Sequence, residues 1–85
     1  MITSLQNPTI KNIVKLSKSK ERLEQQLFII EGARELSLAL EGGYSMTQIF
    51  VCRELFNRSR YPQVLDSLNN ESIVEISREV FQKIA

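Results

Sequence analysis

The stretch 27-LFIIEGARELSLALEGG-43 sets a four-residue apolar run against a nine-residue helical pattern, with Glu31 and Gly32 between them. The run is too short for a helix and rich in β-branched and aromatic side chains, so it reads as a buried strand. In residues 33–41, Ala33, Leu36, Ala39 and Leu40 share one face, and Gly42-Gly43 supplies a helix stop. A strand turning through glycine into a helix is the basic unit of an α/β fold.

The same alternation continues downstream. A second apolar run, 48-QIFVC-52, is followed by a turn or loop over 53-RELFNRSRYP-62 and a short helix over 63-QVLDSL-68, opened by Pro62 and closed by Asn69-Asn70. A third run, 73-IVEI-76, precedes 78-REVFQKIA-85, where Ser77 can cap and Val80, Phe81 and Ile84 share a face. Strands joined by helical crossovers form a parallel or mostly parallel sheet covered on both faces. The expected fold is therefore a small three-layer α/β/α sandwich.

Upstream, Asn7-Pro8 marks a helix start: the Asn side chain can cap free amides, and Pro at the first helical position loses no hydrogen bond. Ile10, Ile13, Val14 and Ser17 recur at helical spacing as an inward stripe. If the helix runs on, Lys11, Lys15, Lys18 and Arg22 form one outward ridge within about 60° of arc. The serines of 17-SKSKE-21 offer a break near Ser17 instead, which would move the second half of the ridge onto a turn.

Composition narrows the function. With 85 residues, 42% hydrophobic and 25% charged, the chain has the balance of one ordinary globular domain and not of a disordered tail. Residues 1–22 carry five Lys or Arg against one Glu, whereas the rest carries six against nine acids, so a net charge of +1 conceals a basic N-terminal segment on a mildly acidic body. That asymmetry points to an anionic partner, nucleic acid first. A lysine face opposite an apolar stripe is equally what a solvated helix looks like.

Other chemistry finds little support. The chain has no His and one Cys, so it lacks the usual general base and any soft-ligand set for a metal. Cys52 reads as a small buried hydrophobe in a reducing cytosol. No phosphate-gripping glycine loop or nucleophile elbow is present, which argues against a stand-alone enzyme. No apolar run reaches the length of a bilayer span and the N-terminus lacks a signal-peptide layout, so the expected location is the cytoplasm. The corner 31-EGAR-34 sets Gly32 where backbone can approach a ligand, with helix amides beside it and Arg34 adjacent. Glu31 there is accounted for by helix-dipole complementarity alone.

The series 2-ITSLQNPTIKNIVKL-16, Arg22 and 28-FIIEGAR-34 resembles the N-terminal substrate-binding domain of the SpoU (TrmH-type) RNA 2′-O-ribose methyltransferases. The shared pattern joins Asn7, Pro8 and Lys11, a basic residue eleven positions on at Arg22, and Phe28, Glu31 and Gly32 at the head of a helix. The resemblance implies a fold like that of kink-turn-binding ribosomal proteins. It also implies that residues 1–85 are a fragment, with a knotted catalytic domain C-terminal to it that binds S-adenosylmethionine and dimerises. The fragment itself would hold no cofactor and perform no catalysis. It would grip ribosomal or transfer RNA through Lys11, Lys15, Lys18 and Arg22. Asn7 would order the first helix, and Gly32 with Arg34 would form a rim held by hydrogen bonds from backbone amides to Glu31. Two other readings stay open: a free-standing kink-turn-type RNA-binding protein, and a protein-interaction module in which the last helix docks a partner.

Overall fold

The computed structural model describes residues 1–56, 60, 61, 64, 66 and 73–85. Its elements run α1 (Pro8–Lys15), α2 (Ser19–Gln25), α3 (Ala33–Glu41), β1 (Ile49–Val51), β2 (Ile73–Glu75) and α4 (Arg78–Ile84). The two strands pair in parallel, Ile49 opposite Ile73 and Val51 opposite Glu75. Ile2 joins β2's outer side, its N–H donating to Glu75 O at 2.9 Å and its C=O accepting from Ser77 N at 3.0 Å.

Alternation along the strands divides the core in two, as a sheet covered on both faces requires. Ile10, Cys52, Ile76 and Val80 form one cluster, with Ile13 of α1 and Phe81 and Ile84 of α4 packed around it. On the other face Val51 and Val64 pack with Leu36 and Leu40 of α3 and with Phe56 and Tyr61. Helices therefore lie on both sides of a parallel sheet, which is the expected α/β/α layering. Cys52 is a buried free thiol at the end of β1.

Local signals act where they were expected. Asn7 Oδ1 accepts from Thr9 N at 2.8 Å, and Ser77 Oγ accepts from Val80 N at 3.2 Å, so each side chain satisfies an amide that the helix leaves free. After α3 the chain turns through Gly42 and Gly43, the latter at φ +83°, a conformation that side chains with a Cβ resist.

Two expectations change, and a third point left open is decided. Residues 27–31 form no strand, and among the described residues none is hydrogen-bonded to the backbone groups of residues 28–31. Phe28 and Ile29 are 56% and 45% exposed. An apolar run states a demand for burial, but a strand also needs a neighbour with free backbone groups, and no described residue lies alongside to provide one.

The inward stripe of α1 also differs. Ile10 is 1% exposed, but Val14 and Ser17 face outward and Leu16 is buried instead. Because α1 stops at Lys15, helical spacing no longer governs the next residues, and Leu16, the C-cap, turns its side chain in. Finally, the first helix breaks near Ser17, the second of the two courses left open for it. The helix expected over residues 63–68 falls largely outside the described residues; within it, Val64 is buried and Asp66 exposed.

Candidate nucleic-acid interface

The basic segment is built on two short helices and the turn between them. Ser17 N donates to Val14 O and Lys18 N to Lys15 O, a tightened last turn that ends α1. The carbonyls left at such an end need donors. Arg22 provides them: its Nη1 donates to Leu16 O at 3.0 Å and to Ser17 O at 2.8 Å. Asn12 and Gln25 then join the helices by two reciprocal amide hydrogen bonds, at 3.0 and 2.9 Å. Each amide satisfies the other, so the pair fixes how α2 sits against α1 without leaving a polar group open.

On this frame Lys11 and Lys15, one helical turn apart on α1, are exposed neighbours. Lys18 is exposed at the N-cap position of α2. Among the described residues no carboxylate pairs with any of the three. Lys20 differs: its Nζ lies 3.9 Å from Glu24 Oε1 on the exposed side of α2. The continuous ridge is thus reduced to Lys11 and Lys15, with Lys18 displaced onto the turn. Arg22 is half-buried and holds the turn with one of its nitrogens.

The second expected cluster lies at the head of α3. Gly32 is the N-cap residue at φ +102° and ψ 145°, a region that essentially only glycine occupies. A Cβ there would stand 2.8 Å from Glu35 Oε2. Arg34 is exposed, with Nη1 3.8 Å from Glu35 Oε1. Glu31 is exposed and, among the described residues, accepts from no backbone amide; the carboxylate nearest Gly32 is that of Glu35. No hydrogen bond or ion pair links Arg34 to the lysines of α1.

Asn12 and Gln25 were not foreseeable, because a pairing across thirteen residues leaves no periodic trace. Neither was the edge-on contact of the Phe28 and Tyr44 rings, with centroids 5.8 Å apart. The bonds of Arg22 could have been anticipated: a basic residue a few positions beyond a helix end is a ready donor to its carbonyls.

The comparisons follow from this layout. The family model for an MRM3-like substrate binding domain matches residues 7–85. The chain belongs to the MRM3-like substrate-binding domain family. A solved structure described as an RNA 2′-O ribose methyltransferase is 37% identical to the chain, with a TM-score of 0.86 over 99% of it. The chain spans 31% of that protein's length. No curated protein matches the sequence. The MRM3-like assignment covers every element from α1 to α4.

Proposed function

We infer that this substrate-binding domain holds RNA for a 2′-O-ribose methyltransferase, and that α1 with the following turn is the surface that meets the sugar-phosphate backbone. The single observation that carries the reading is that Lys11, Lys15 and Lys18 stand exposed and, among the described residues, meet no carboxylate partner, while the polar groups around them are engaged in holding the frame. An ammonium with no partner is free to displace counterions from phosphate. Such contacts position a strand and carry no sequence information, so the domain orients substrate while chemistry occurs elsewhere.

Arg22 and Asn7 act in this scheme by ordering the turn and α1, and Gly32 with Arg34 forms a separate, less basic rim. The substrate is ribosomal or transfer RNA. As the resemblance to the SpoU family implies, S-adenosylmethionine would be held by a separate catalytic domain, through which the enzyme would dimerise in the cytoplasm. The resemblance of residues 2–34 to the SpoU family supports these assignments.

The test is filter binding of structured RNA across a salt series, with Lys11→Glu/Lys15→Glu beside the parent chain. Affinity should fall across unrelated RNA sequences while circular dichroism stays unchanged, and the parent's log-log salt slope should exceed the variant's by about 2. Equal affinity of the two folded proteins would remove α1 from the interface.

A further inference from the structure

One side of α2 departs from the pattern of a solvated helix. Ser19, Arg22 and Leu23 stand there at helical spacing with the C-cap residue Gln26, while Glu21 and Glu24 lie about 150° round the axis. The acids of α2 are thus turned away from this side, and Leu23 is 81% exposed on it. Together with Leu27 and Phe28, the four residues line a shallow recess of about 400 Å³. No acid is among its lining residues.

The lining divides by chemistry. Leu23, Leu27 and Phe28 give apolar surface, and the Phe28 ring is braced edge-on by Tyr44, which does not itself border the recess. Ser19, Arg22 and Gln26 give polar groups. Arg22 spends Nη1 on Leu16 O and Ser17 O, and among the described residues its Nη2 and Nε meet no partner. Gln26 is exposed and its side-chain amide is unengaged by any described residue. Its backbone is left-handed, at φ 56° and ψ 39°, a helix stop where glycine carries the least strain. A long side chain kept at such a position works against the fold, so its use lies outside the fold.

Such a lining suits a flat ring with apolar faces and a hydrogen-bonding edge, and the neighbouring charge says what carries the ring. Lys18 precedes Ser19, is exposed and meets no carboxylate among the described residues, so a polyanion is drawn to this place. We propose that the recess takes one unpaired base of the RNA, stacked on the Phe28 ring, with Gln26 and the free nitrogens of Arg22 at its edge and Lys18 on its phosphate. The proposal rests on the reading of α1 and its turn as the RNA surface. It adds a preference that lysines alone do not give: a loop or single strand over a continuous duplex, whose bases are already stacked on one another.

The test compares a wide-looped RNA hairpin with a blunt RNA duplex of the same number of phosphates, by fluorescence anisotropy with the parent chain, Phe28→Ala and Gln26→Gly. Phe28→Ala should weaken hairpin binding by at least about fivefold at an unchanged salt slope and leave duplex binding within about twofold. Gln26→Gly should also weaken the hairpin while its melting temperature does not fall, a split that a merely structural glutamine would not give. A folded Phe28→Ala that binds the hairpin as the parent does, or that loses hairpin and duplex alike, overturns the proposal. If Phe28→Ala fails to fold, Gln26→Gly decides, and unchanged hairpin affinity rejects the recess. Lys11→Glu/Lys15→Glu keeps the two readings apart, because it should weaken both RNAs: with that loss seen and Phe28→Ala neutral, α1 stays an RNA surface and the recess does not. A parent chain that binds neither RNA at low salt removes both readings. One that sediments as a dimer, with Leu23→Ala restoring the monomer, gives the recess to a second copy and likewise overturns the proposal.

Discussion

Residues 7–26 and residues 27–31 adjoin in the chain and are held in opposite ways. In the first, Asn7, Asn12, Arg22 and Gln25 each find a polar partner within the same segment, and Lys11, Lys15 and Lys18 are left over. In the second, Phe28 and Ile29 stand exposed, and no described residue forms a ladder with the backbone. Hydrogen bonds between near neighbours complete themselves as the chain folds, whereas a strand is complete only when a distant segment lies beside it. The first segment is a finished surface and the second an unfinished one.

The sharpest way to break this contrast is to truncate one aliphatic residue in each setting. Ile10→Ala removes a side chain that is 1% exposed against α4, and should destabilise by about 2–5 kcal/mol in urea denaturation. Ile29→Ala should cost less than about 1 kcal/mol, because a half-exposed side chain loses little burial. Equal losses would mean that residues 27–31 are already packed.

Next in size is the glycine that joins the unfinished run to α3. Gly32→Ala must hold a Cβ at φ +102° with Glu35 Oε2 in its way, and should cost about 1–3 kcal/mol by thermal melting. If Glu35→Ala relieves only part of that cost, the remainder belongs to the backbone and not to the carboxylate.

Arg22→Ala tests the finished segment. It uncaps two carbonyls at the α1 end and should destabilise by about 1–2 kcal/mol, while Lys11→Ala stays within about 0.5 kcal/mol. A reversal, with Arg22 neutral to stability and Lys11 costly, would exchange their assigned roles. The smallest effect is expected at Lys20→Ala. Its pair with Glu24 is 3.9 Å long and exposed, so the melting temperature should hardly move.

Legibility in the sequence follows the same division. Asn7-Pro8, Ser77 and Gly42-Gly43 marked helix ends correctly because caps and stops depend on a few adjacent residues. β1 and β2 were found from the apolar runs around residues 48–52 and 73–76, and the layering from their alternation with helices. Residues 27–31 gave the same signal and are not a strand, since composition reports what a segment would bury and not whether a neighbour is there. In the candidate interface, the exposure of Lys11 and Lys15 was readable from helical spacing, whereas Lys18 lies past the end of α1. The engagement of Arg22 was not read, because the ridge was drawn on one cylinder and the cylinder ends at Lys15. The Asn12–Gln25 bridge had no sequence signal at all.

Cys52 supplies a consequence of its own. It is the chain's one thiol and lies buried at the end of β1. A maleimide can reach it only when that part of the sheet breathes, so the natural protein carries its own chemical clock. The rate of alkylation reads how often the end of β1 opens, with no label to engineer and no residue to replace.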